Sequence, residues 1–162
     1  MDAGLCREHL ETLLSEEASA LAELERILTR EHEILTANDV DALERSAAER
    51  QACVGRLLRV EEERRSLCRM LGYPAEREGL EKLMAWCDPQ GSLQARWAEC
   101  AASATRCRDL NDRNGALVAA RMRRVESLLG VITGRGDASP QVYGPSGGRV
   151  VPRVGRMLAT EA

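Results

Sequence analysis

Leucines at 14, 21, 28 and 35 recur every seven residues, and Leu10 and Leu24 fall half a heptad away. Leu13, Ile27 and Ile34 widen the stripe. So regular a seam predicts a helix of about 30 residues that packs in coiled-coil fashion. Thr36-Ala37-Asn38-Asp39 interrupts it, with Asn38 or Asp39 suited to cap a second helix. That helix is expected to turn Val40, Leu43, Ala47, Val54, Leu57, Leu67, Met70 and Leu71 inward. Gly72 then supplies a stop and Pro74 forbids continuation. The short Asn-Asp turn predicts that these two helices form an antiparallel hairpin.

Residues 75–91 read as a connector with a short helix, its apolar side formed by Leu80, Leu83, Met84 and Trp86. Pro89-Gln90-Gly91 ends it and Ser92 can cap the next helix. This last long helix is expected to place Leu93, Trp97, Cys100, Ala104, Cys107, Asn111, Asn114, Val118, Val125 and Leu128 on one seam and to stop at Gly130. The fold class is therefore all-α: an elongated, antiparallel, partly coiled-coil bundle of three long helices with a connector helix over residues 1–130. From Val131 onward the periodicity ceases and Gly and Pro recur, which predicts a flexible tail over 131–162. Val142, Tyr143, Val150, Val151, Met157 and Leu158 still punctuate it. Two readings of the tail stand: an inert extension, or a segment that folds on a partner.

Composition narrows the function. Ala, Leu, Glu and Arg dominate, while aromatics amount to two Trp, two Tyr and no Phe, a poor supply for a β-sandwich or an aromatic-lined catalytic cleft. Residues 1–71 carry 16 acidic and 10 basic side chains, a net of −6, whereas residues 92–162 carry 6 and 11, a net of +5. That gradient can steer an acidic partner but is too mild for nucleic acid, and the Arg121-Met122-Arg123-Arg124 cluster lacks interleaved aromatics. Six cysteines at 6, 53, 68, 87, 100 and 107 form no C-x-x-C pair. They read as reduced, buried, small apolar residues in a cytoplasmic protein. No apolar run approaches a membrane span and the N-terminus has no secretory pattern, so no stable membrane insertion is expected.

Catalysis finds no foothold. The phosphate-loop, dinucleotide and Gly-x-Ser-x-Gly patterns are absent. His9 and His32 lack the Glu-x-x-His spacing of a carboxylate metal centre and read as surface residues. Consecutive Glu31, His32 and Glu33 point about 100° apart around a helix. No enzyme activity, metal or cofactor is expected.

The polar break Leu110-Asn111-Asp112-Arg113-Asn114-Gly115-Ala116-Leu117 stands out instead. Asn and Gly weaken a helix, and polar seam residues fix register or leave room for another helix. Beyond it, Leu117, Met122, Val125, Leu128, Leu129, Val131 and Ile132 make the apolar stripe wider than a three-helix core requires. They complete the core or a homodimer seam, or they capture an amphipathic helix of a client.

Taken together, three features resemble the FlgN family of flagellar export chaperones. Arg64-Arg65-Ser66-Leu67 precedes the Met70-Leu71-Gly72 helix end, Asn111-Asp112-Arg113-Asn114-Gly115 lies in the last helix, and Tyr143-Gly144-Pro145 with Gly147 lies in the tail. The likeness extends to about residue 148, with Glu49-Arg50-Gln51 standing where the family commonly has a Lys. It implies a cytoplasmic chaperone that binds hook-associated proteins of the hook–filament junction and delivers them to the flagellar type III export gate. It also places partner binding toward the last helix and the proximal tail, where Asn111, Asn114, Gly115, Leu117, Met122, Val125, Leu128, Leu129, Val131 and Tyr143 are the candidate contacts. The competing expectation is a coiled-coil scaffold that self-associates through the same seam.

Overall fold

The structure, a computed structural model, describes residues 2–134. They form four helices: α1 (Ala3–Ala37), α2 (Val40–Met70), α3 (Arg77–Cys87) and α4 (Ser92–Thr133). Among the described residues there is no strand. By compactness the chain divides into two units, Met1–Arg121 and Met122–Ala162, so the boundary falls inside α4. The tail expected from Val131 does not begin there, because Val131, Ile132 and Thr133 belong to α4; the part of it beyond Gly134, with Tyr143, lies outside the described residues.

In the first unit each long helix buries a seven-residue series. On α1 it is Leu14, Leu21, Leu28 and Leu35, on α2 Ser46, Cys53, Val60 and Leu67, and on α4 Leu93, Cys100, Cys107 and Asn114. A strict seven-residue repeat is the signature of helices wound gently about one another. Cross-helix bonds fix the directions. Cys53 Sγ donates to Ala20 O at 3.1 Å and Ser46 Oγ to Glu31 Oε1 at 3.2 Å, while Arg64 pairs with Glu17 at 2.8 Å. As numbers fall along α1 they rise along α2, so the pair is antiparallel. By contrast, Cys100 Sγ donates to Leu14 O, Cys107 Sγ to Leu21 O and Asn114 Nδ2 to Leu28 O, each 86 residues away. Helix α4 therefore runs parallel to α1, held by a ladder with one rung per heptad.

Short-range chemistry makes the connections tight. Asn38 adopts the left-handed conformation (φ 62°) at the end of α1, and the Asp39 side chain accepts the Ala42 N–H to start α2. Gly72 (φ +79°) ends α2, with Tyr73 N–H donating to Cys68 O at 2.9 Å. Helix α3 lays Leu80, Leu83, Met84 and Cys87 into the same core cluster as Cys6 and Leu10. Gly79 allows this, because a Cβ there would sit 1.9 Å from Pro74 O.

Several expectations need correction. The inner face of α2 differs in part from the expected one: Leu67 is buried and Leu43, Ala47, Leu57 and Leu71 are half-buried as expected, but Val40, Val54 and Met70 are exposed, and Ser46, Cys53 and Val60 are buried instead. On α3, Trp86 is exposed and Cys87 takes its place in the core. On α4, Ala104, Asn111, Val118, Val125 and Leu128 are exposed rather than seated on the seam. The buried Asp88 carboxylate, and not Ser92, caps α4: it accepts the Leu93 N–H at 2.8 Å, and Ser92 Oγ donates to it at 2.9 Å. That N–H, then the Ser92 hydroxyl and the nearby Arg7, hold Asp88 below the usual carboxylate range. Helix α4 continues past Gly130 to Thr133 and ends at Gly134 (φ +67°), since one glycine costs a helix only about 1 kcal/mol.

All six cysteines are free and buried. Burial, and then the adjacent Cys87 thiol, push Cys6 up to about 12. Burial likewise raises Cys68, Cys87, Cys100 and Cys107. Such thiols stay protonated and inert, as small apolar residues do.

Candidate functional site

The residues singled out on α4 separate into two settings. In the first unit, Asn114 is buried and fully engaged: beyond its bond to Leu28 O at 2.9 Å, its Oδ1 lies 3.1 Å from His32 Nδ1. The imidazole protonated at Nδ1 donates there, which corrects the surface reading of His32, while His9 is exposed. A carbonyl oxygen has two lone pairs, so Leu28 O can accept Asn114 as well as its own helix. Asn114 thus fixes how α4 sits on α1, and both ends of its amide are already occupied within the protein. Leu117 is half-buried, and Asn111 and Gly115 are exposed.

Asn111, Asn114 and Gly115 also line an open groove of about 580 Å³. Its other walls are Glu31 and Leu35 of α1, Leu43, Glu44, Ala47 and Arg50 of α2, and Val118 and Ala119 of α4. Glu31 is 3% exposed, and its carboxylate is met by Ser46 Oγ at 3.2 Å and by Arg50 at 3.5 Å. The charge is therefore buried but compensated. In the sequence Glu31 is one of three polar residues in a row; only Ser46, seven residues before Cys53, hints at a polar layer. Arg121, expected in a solvated basic cluster, donates to Asn38 Oδ1 at 3.0 Å and to Thr36 O at 3.5 Å. It thereby caps α1, whose last carbonyls lack helical partners.

The second unit is described over its helical part. Met122, Val125, Leu128, Leu129, Val131 and Ile132 are all exposed, from 49% at Val125 to 78% at Ile132. Met122, Val125, Leu129 and Ile132 follow a 3-4-3 spacing and so share one face, with Leu128 beside it. Thr133 Oγ1 donates to Leu129 O at 2.7 Å and closes the helix end. Scattered apolar residues on a surface need no explanation, but a contiguous stripe marks an interaction surface. Among the described residues, no group of three His, Cys, Asp or Glu could hold a metal ion, and no helix is long and apolar enough to cross a membrane.

A helical chain with an apolar stripe exposed on its last helix matches one family along nearly its whole length. The FlgN protein family model covers residues 1–150. The chain belongs to the FlgN family. It is accordingly a flagellar export chaperone of the type III pathway. No curated protein and no solved structure matches it. Two features behind the FlgN likeness gain a physical role here. Arg64, with 15% of its side chain exposed, bridges Glu17 of α1 and Glu61 of α2, and Gly72 carries the left-handed turn that ends α2.

Proposed function

We propose that the chain binds hook-associated proteins in the cytoplasm, keeps them unassembled and delivers them to the flagellar export gate. The observation that carries this reading is the exposed stripe Met122, Val125, Leu128, Leu129 and Ile132 on a helical surface. Such a stripe suits an amphipathic client helix, which would otherwise pair with its own kind. Met122 lends the surface the adaptability that more than one client requires. The six free thiols agree with a reducing compartment. The seven-residue series support a partly coiled-coil arrangement of α1, α2 and α4 within residues 1–121. In this reading Tyr143 adds to the contact.

The test is titration calorimetry of the full chain against hook-associated proteins from the same genome, beside the double variant Leu128→Asp, Leu129→Asp. Both side chains are exposed, so helicity by circular dichroism should hold while affinity falls by about tenfold or more, the equivalent of roughly 1.4 kcal/mol. Undiminished binding by a folded double variant would remove the stripe from the site. Self-association that the same substitutions abolish, with no client bound by the wild type, would favour the scaffold.

A further inference from the structure

The core of the first unit narrows toward one end. Read from the α3 end toward the Asn38 turn, the buried series of α4 runs Leu93, Cys100, Cys107, Asn114, and that of α2 runs Leu67, Val60, Cys53, Ser46. Both pass from leucine to a small polar side chain. At the wide end α3 lays a fourth apolar face on the core through Leu80, Leu83 and Met84. At the narrow end the groove between α1, α2 and α4 stands open, with Leu35, Leu43, Ala47, Val118 and Ala119 on its walls.

Gly115, on the α4 wall, is not explained by the packing of the chain itself. A Cβ there would meet nothing within 4 Å, and its φ is not in the left-handed region. Glycine inside a helix costs about 1 kcal/mol relative to alanine, so a role outside the fold accounts for it better: it lets another backbone approach closely. The rim adds charge. Glu44 is exposed and makes no ion pair among the described residues. The Arg50 side chain is 40% exposed, with Glu31 at 3.5 Å as its one carboxylate among the described residues, which leaves guanidinium N–H groups to spare.

We infer that this groove is a second docking site for the client, and that its occupant is a short amphipathic helix with a bulky apolar residue over Gly115, a carboxylate level with Arg50 and a basic group level with Glu44. The inference rests on the chaperone reading and assigns part of the client's helix to this groove, in the manner of α3 at the other end. The two charges also set the direction in which the helix lies, as paired flanking charges do in coiled coils.

The experiment is calorimetry of full-length Gly115→Leu, Gly115→Ala and Glu44→Lys against the same hook-associated proteins, with melting curves for each. Gly115→Leu should melt no lower than the wild type and bind about tenfold or more weakly. Gly115→Ala should melt higher and bind slightly more weakly, and Glu44→Lys should bind a few-fold more weakly with an unchanged melt. Full affinity in a folded Gly115→Leu would overturn the groove while leaving the stripe on α4 as the site. A Gly115→Leu change that dissolves a homodimer and spares client binding would also overturn it, in favour of a second copy. No binding by the wild type would sink the chaperone reading and this inference with it.

Discussion

Single side chains at two points decide more than their size suggests. Asn114 spends its amide on Leu28 O and His32. Removing it leaves the imidazole half-buried without its acceptor, so Asn114→Ala should lower unfolding free energy by about 1–3 kcal/mol, as for a lost buried hydrogen bond. Urea titration reads this directly, and an unchanged midpoint would refute the lock. Asp88 gives a pH signature. Its folded pKa lies below the ordinary value because the Leu93 N–H bonds the charged form, so its contribution is present above the unfolded carboxylate value of about 3.9 and is lost as pH falls through the lower folded value. Asp88→Asn should therefore melt below the wild type near neutrality, and the gap should close as the pH falls below about 4. A gap that stays constant over that range would remove the charge from the cap.

Among the helices, legibility in the sequence tracks the size of the buried side chains. Helix α1 is plain because its inner series is all leucine. Helix α2 is legible at Leu67 but misread where its buried series turns to Cys53 and Ser46, which a reading of hydrophobicity passes over for Val54. On α4 the polar break at Asn111 to Gly115 is visible in the sequence. Its division into a buried lock at Asn114 and an exposed groove wall at Gly115 depends on residues of α1 and α2 far away in the sequence, which no local pattern reports. The glycine before α4 with the firmest role is Gly79, whose Cβ would strike the Pro74 backbone. Gly79→Ala should destabilise the fold by more than about 1 kcal/mol despite alanine's better helix propensity. A stabilised Gly79→Ala would mean that α3 docks differently.

Over the whole of the first unit the narrowing core sets an order of opening. Buried leucines contribute more than buried cysteine or serine, so the end near Ser46 and Asn114 is the weaker one. Native-state hydrogen exchange should find the slowest amides around Leu10, Leu67 and Leu83 and faster ones around Ser46 and Asn114. Uniform protection from Leu10 to Leu35 would contradict that gradient. A chaperone gains from the arrangement, because the end beside the groove can adjust without melting α3 and its neighbours.

The ladder between α1 and α4 has a last consequence. Its rungs are spaced one heptad apart, and the two thiol rungs are chemically alike. Slide α4 by seven residues toward the Asn38 turn and Cys100 would find Leu21 O where Cys107 had been, with nothing in the thiols to signal the error. The amide rung would notice, because there is one His32, and so would Arg121, which bonds Asn38 and Thr36 at the end of α1. The address of α4 on α1 is thus written in a few polar side chains, and the cysteines merely repeat the street.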